Sequence, residues 1–142
     1  MPHVRLAAPE DVQQVIDIHR SVIEIADWLL PEERTVAEFS KSIQGERIFL
    51  YADDEEEILG FISVWAEGSF IHHLYVRSNS QGRGIGSALL ESLKVWLSKP
   101  WHLKCVAANT RALSFYLARG FQEVSIHSDG NPPYVLLRNS EA

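Results

Sequence analysis

The chain has 142 residues, 46% hydrophobic and 23% charged, the balance of one globular domain with a single core and no room for a second. Its lone cysteine, Cys105, excludes an internal disulfide and a multi-cysteine zinc site, and with no secretory segment at the N-terminus the expected compartment is the cytoplasm. No apolar run approaches the roughly 18 residues of a membrane span, and a net charge of −6 argues against a general nucleic-acid binder, so an anionic ligand needs a local device to hold it.

Residues 3–6 read as a short strand. Pro9, Glu10 and Asp11 then open a helix, since a fixed φ and first-turn carboxylates both favour its N-terminus. Val12, Val15, Ile16, His19, Val22 and Ile23 recur at helical spacing and predict its buried face. A second helix is expected from Thr35, where Glu38 completes a capping box and Phe39 and Ile43 supply apolar contacts. The acidic run Asp53-Asp54-Glu55-Glu56-Glu57 separates two apolar strands and reads as a solvated hairpin turn, with a cation site as the alternative. A third strand of this group runs over residues 70–76. A polar, glycine-rich loop follows, then a helix whose apolar stripe is Ile85, Leu89, Leu90, Leu93, Trp96 and Leu97, stopped at Ser98-Lys99-Pro100. A strand over residues 102–107, a helix over 110–119 ended by Gly120, and a final hairpin of residues 121–127 and 134–138 complete the chain. The order β-α-α-β-β-β-α-β-α-β-β predicts an α/β fold, a single-domain mixed sheet flanked by helices over residues 1–142.

The densest chemical signal is Gln81-Gly82-Arg83-Gly84-Ile85-Gly86-Ser87, where three of the eight glycines fall between a strand and a helix. Backbone N–H groups freed by such a turn and the positive end of the following helix converge on one point, which suits a pyrophosphate. Arg83 or Arg77 would add charge beside it. A P-loop is excluded because no lysine occurs between Lys41 and Lys94, and a dinucleotide fingerprint needs G-x-x-G spacing and an acid about 20 residues on, where Trp101 and His102 stand. Read without a ligand, the same glycines make a close helix–sheet packing turn.

Gln81, Gly84 and Gly86 match the pattern Q/R-x-x-G-x-G/A, after the strand Leu74-Tyr75-Val76 and before Ser87-Ala88-Leu89-Leu90. Residues 109–121 match N-x-x-A-x-x-F-Y-x-x-x-G-F through Asn109, Ala112, Phe115, Tyr116, Gly120 and Phe121. With these two motifs in order, the chain resembles the GCN5-related N-acetyltransferase (GNAT) superfamily, and most closely its small bacterial single-domain members. The resemblance implies the acyl-CoA N-acyltransferase fold and acetyl-CoA as co-substrate, with no metal. It implies that the main chain of Leu74, Tyr75 and Val76 pairs with the pantetheine arm. Gln81, Gly82, Arg83, Gly84, Ile85, Gly86 and Ser87 would cradle the pyrophosphate. Asn109 and Ala112 would meet the pantetheine, Asn109 serving equally as a helix cap. Tyr116 stands at the family's acid position, where a protonated phenol can donate to the departing thiolate. The oxyanion donor is expected to be a backbone N–H near Tyr75 or Val76. Ser78 stands where many relatives have proline.

The general base departs from the family's common pattern. Many relatives carry a carboxylate on the strand before the loop, whereas here that strand offers His72 and His73, both suited to accept a proton near neutral pH. Strict alternation puts His72 on the face of Leu74 and Val76; a bulge, usual for the family in this strand, would switch the facing. Glu67 upstream and a water relay remain alternatives. Cys105 is expected to be a packing residue, and transfer is expected to be direct, without an acyl-enzyme. Glu24, Trp28 and Tyr134 are the candidate acceptor-binding residues, since carboxylates beside aromatics suit a cationic amine. The acceptor is expected to be a protein or peptide amine or a small amine, the partners to include no nucleic acid or membrane, and the assembly to be a monomer or homodimer. A non-catalytic acetyl-CoA binding module is the alternative.

Overall fold

The structure is a computed structural model that describes residues 1–23, 43–130 and 132–140. Seven strands, β1 (His3–Leu6), β2 (Arg47–Ala52), β3 (Ile58–Trp65), β4 (Phe70–Val76), β5 (Trp101–Val106), β6 (Gln122–His127) and β7 (Tyr134–Asn139), form one sheet in the order β1-β2-β3-β4-β5-β7-β6. Among the described residues three helices flank it: α1 (Val12–Ile23), α2 (Ile85–Ser92) and α3 (Thr110–Ala118). The helix expected from Thr35 lies outside the described residues. None of the described helices is long and apolar enough to cross a membrane.

Both faces of the sheet are covered, which explains why β3 reads as an almost unbroken apolar run: seven of its eight residues are buried and only Trp65 is exposed. On one face Val15 and Ile18 of α1 pack with Leu50, Ala52, Ile58 and Phe61. On the other, Leu89 and Leu90 of α2, followed by Leu93 and Leu97, pack with Ile62, Val64, Trp101, Leu103 and Leu137. Trp101 is fixed further by donating its indole N–H to the Leu97 carbonyl at 3.1 Å.

Two local expectations are corrected. Pro9–Asp11 forms a separate 3-10 turn before α1, and Asp11 turns inward, accepting from the Ala8 N–H at 2.7 Å and pairing with the Arg5 guanidinium at 2.9 Å. The buried line of α1 is consequently Val15, Ile18 and His19, while Val12 at the helix start is 40% exposed. The acidic run forms the β2–β3 turn, where Asp53 Oδ1 accepts from the N–H groups of Glu55 and Glu57, both at 2.9 Å. Asp54 and Glu56 stay exposed, Asp54 at 2.8 Å from the N-terminal ammonium and Glu56 near His3 and Arg5.

Two irregularities of β4 position the site. Against β3 the pairs run Val64 with Ile71 and then Ser63 with His73, so His72 is an extra, bulged residue. Against β5 the parallel pairing consists of Phe70 with His102 and Ile71 with Leu103. Beyond that point the strands part, and the outer edge of β4 from Leu74 to Val76 faces a gap.

Candidate active site

The chain leaves β4, passes through a 3-10 turn at Ser78–Ser80, and enters the glycine loop. Gly82 and Gly84 take φ of +83° and +78°, values that residues with a Cβ adopt rarely. Gly84 is the N-cap of α2 and has no side chain to cap it, so the first-turn N–H groups stay available and the positive end of the helix dipole is unopposed. Gly86 serves another need: a Cβ there would stand 3.2 Å from Cζ of Phe115, so its absence lets α2 approach α3. The packing reading of the loop therefore holds for Gly86. Gln81 donates its side-chain N–H to the Val76 carbonyl at 3.3 Å and ties the loop to the strand it leaves.

Between the parted ends of β4 and β5 lies a groove of about 630 Å³. Leu74, Tyr75, Val76, Gln81, Gly82, Gly84, Ile85, Gly86, Ser87, Asn109, Ala112 and Tyr116 all line it. Every residue expected at the cofactor is thus brought to one groove except Arg83, which is exposed in the loop and is not part of its wall. Arg77 is used elsewhere, donating Nε to the Ile58 carbonyl at 2.7 Å. Arg111 and Arg119 are the cations that do border the groove, both outside the expected set, and Arg119 is the one pinned in place. It lies over the Phe115 ring at 3.8 Å, donates Nη1 to the Phe115 carbonyl at 3.0 Å, and reaches Ser87 Oγ with Nε at 2.9 Å. Its i,i+4 spacing from Phe115 was visible in the sequence; its partner Ser87, 32 positions away, was not.

Asn109 caps α3, its Oδ1 accepting from the Ala112 N–H at 3.2 Å. Tyr116, on α3, is buried against the rings of Phe115 and Phe121, and burial first, then Cys105 and Tyr75 nearby, push its phenol above the ordinary tyrosine range. It therefore holds its proton at neutral pH. Tyr75 is likewise pushed up to about 12 by burial. Cys105 is buried in the same core, and burial raises its thiol to about 11, which removes the thiolate that a nucleophile needs.

The two histidines differ sharply. The bulge sets their rings on one side, with centroids 4.0 Å apart, so alternation does not decide their facing. His73 Nδ1 bonds Ser63 Oγ at 2.9 Å, and its ring lies 6.1 Å from His19 and 5.9 Å from Tyr75. Burial first, then His72 and His19, push its pKa down to about 2. His72 keeps 37% of its side chain exposed, and its Nδ1 is in hydrogen-bond contact with Oε2 of Glu46, whose own side chain is only 5% exposed. Glu67 lies exposed on the 3-10 turn Ala66–Gly68; the carboxylate that meets the histidines is Glu46, 26 positions before His72.

Glu46, His72 and His73 bring ligand-type atoms within 4.8 Å of one another. Two ligands on one tetrahedral ion, each about 2.1 Å from it, stand about 3.4 Å apart. The direct contact of Nδ1 with Oε2 is instead that of two atoms sharing a proton.

Tyr134 opens β7, stacked on His127 at 4.5 Å with Lys104 Nζ 5.0 Å over its ring, and does not line the groove. Trp28 and Glu24 lie outside the described residues.

A family model described as acetyltransferase (GNAT) family matches residues 13–121. No curated protein matches the chain. Among solved structures, a GCN5-related N-acetyltransferase from Rhodopseudomonas palustris superposes with a TM-score of 0.81 at 19% identity, over 99% of this chain and 96% of that one. A GNAT-family acetyltransferase from Bacillus cereus gives 0.78 at 19%, over 100% and 99%. The ribosomal-protein-S18-alanine N-acetyltransferase of Escherichia coli gives 0.75 at 21%, over 100% and 96%. These likenesses establish the fold.

Proposed function

The chain belongs to the acetyltransferase (GNAT) family, and on that premise we propose that it moves an acetyl group from acetyl-CoA to a primary amine by direct attack in a ternary complex. The observation that carries this reading is the parting of β4 from β5, which opens a strand edge that leads to the uncapped first turn of α2. A ligand that is an amide chain at one end and a diphosphate at the other suits those two kinds of donor. In this reading the main chain of Leu74 and Val76 pairs with the pantetheine arm, and the amides of residues 82–87 hold the pyrophosphate. Arg119, beside Ser87, and Arg111 supply positive charge at the groove of an otherwise acidic chain.

The chemistry then follows from the groups at the gap. The acceptor ammonium gives one proton to a base, and its lone pair forms the new C–N bond at the thioester carbonyl. A backbone N–H near Tyr75 or Val76 receives the oxyanion; its collapse breaks the C–S bond, the Tyr116 O–H passes its proton to the thiolate, and the phenolate takes the second proton from the new amide nitrogen, which restores the phenol. We assign the base to His72. A ring whose pKa is held down at about 2, as in His73, is too weak to draw a proton from an ammonium. His72 has an exposed ring and a carboxylate partner. The acceptor is an amine of a peptide or of a small molecule, and the reaction is cytoplasmic.

Tyr116→Phe tests this reading, because it keeps the ring packed between Phe115 and Phe121 and removes only the O–H. Turnover should fall about 100-fold, with acetyl-CoA affinity, measured by calorimetry, nearly unchanged. Unaltered turnover would remove Tyr116 as the acid.

A further inference from the structure

We infer that Glu46 is the positioning residue of the base: it holds the proton of His72 on Nδ1 and so leaves Nε2 as the atom that accepts a proton from the amine. The inference rests on the proposed acetyl transfer and deepens it.

Glu46 directly precedes β2. It closes the turn before that strand, with its N–H on the Ile43 carbonyl at 3.1 Å, and β2 is two strands removed from β4. Its carboxylate is nevertheless carried to the bulge, where the extra residue His72 meets it. An ionised carboxylate only accepts hydrogen bonds, so the nitrogen in contact with it is the one bearing hydrogen. That fixes the tautomer: Nδ1–H faces Glu46 and the lone pair is on Nε2.

Burial makes the contact consequential. The Glu46 side chain is 5% exposed, and its second oxygen, Oε1, is buried and has no hydrogen-bond partner. A carboxylate in that position has little water to screen it, so its charge acts on the imidazole it touches. When Nε2 takes a proton from the ammonium, the ring becomes a cation, and Glu46 is the anion in contact with it. The other polar groups on this side, His73, His19 and Tyr75, are neutral in their buried settings, since burial pushes both histidines down and the tyrosine up. Glu46 is thus the carboxylate that the strand itself does not provide, supplied from a different element and acting through the imidazole.

The test uses the full chain labelled with ¹⁵N-histidine, with long-range proton–nitrogen spectra recorded at about pH 8, where an ordinary imidazole is neutral. His72→Gln identifies the His72 signals. The wild-type ring should show hydrogen on Nδ1 and a bare Nε2; Glu46→Gln should keep that tautomer, because the amide oxygen still accepts, and Glu46→Ala should lose it. Hydrogen on Nε2 in the wild type overturns the inference, and this result requires no variant to fold. An unchanged tautomer in Glu46→Ala overturns it too. In parallel, release of thiol from acetyl-CoA is followed with a panel of primary amines. Glu46→Ala should lower turnover at least about tenfold where His72 is present and have no further effect in His72→Gln. Equal losses in both backgrounds contradict a role through His72. If no amine is turned over by the wild type, the acetyltransferase reading fails while the tautomer still reports on Glu46.

Discussion

Gly84 shows how one residue separates binding from folding. It sits at φ +78° with nothing within 4 Å of where a Cβ would stand, so a Cβ there opens onto free space, at the N-cap that precedes the first-turn amides. Aspartate tolerates the left-handed region better than most residues. Gly84→Asp should therefore melt within a few degrees of the wild type yet weaken acetyl-CoA binding at least about 100-fold, because it adds a negative charge where a diphosphate is to be held. Calorimetry with acetyl-CoA checks this, and retained affinity would remove the pyrophosphate from the loop. At this scale the sequence was informative where function depends on neighbours in the chain. The glycines, Asn109 and Tyr116 all stand in short local patterns. Glu46 and Arg119 were not legible because each acquires its meaning from a partner, His72 or Ser87, that only sheet pairing or helix packing brings near.

At the scale of elements, the strands were readable from apolar runs between turn residues: β1 and β4 stand at their expected bounds, and β5, β6 and β7 lie within one residue of theirs. The β4 bulge stood only as an alternative to strict alternation, with no residue assigned to it, since a bulge depends on the register of two strands and leaves no mark in either one alone. The start of α1 was misread for a similar reason. Its first carboxylate was assigned to the helix dipole, whereas Asp11 is drawn in by Arg5, which lowers its pKa, first through their hydrogen bond and then with help from the Ala8 N–H. The pair joins β1 to α1. Asp11→Ala should cost about 1.5–3 kcal/mol in a urea titration, the range for a hydrogen bond to a charged group, since Arg5 keeps a third of its side chain in water. A loss under about 0.5 kcal/mol would place this pair with exposed ion pairs, which contribute little.

At the scale of the whole molecule, two neutral histidines lie between α1 and the sheet. Burial holds His19 at about 4 and His73 at about 2, against 6.5 for an ordinary imidazole. With folded values below the unfolded ones, the unfolded chain binds more protons as the medium acidifies. Stability should thus be full above about pH 6.5 and fall as the pH drops from there to about 4, before Asp11, an acid whose own loss comes below its ordinary value of 3.8, contributes. Calorimetric scans across that window should show Tm declining, by about 3–4 °C for each kcal/mol lost. His19→Phe should shallow the decline, and an equal slope in the variant would assign it to other groups. The net charge of −6 takes its meaning from the same whole-molecule view. In the proposed reading an anionic co-substrate is met by backbone donors at residues 82–87 and by Arg111 and Arg119 at the groove, which leaves the acidity to the surface and to a cationic acceptor.

The central claim is that acetyl-CoA laid along β4 gives up its acetyl group to an amine, and the most direct measurement is thiol released from acetyl-CoA by the purified wild type against a panel of peptide and small primary amines, with the acylated product weighed by mass spectrometry. The account predicts that at least one amine raises thiol release well above the amine-free rate and gains one acetyl group for each thiol released. Tight binding of acetyl-CoA, with no amine in the panel raising thiol release or gaining mass, would contradict it and leave a binding module in its place.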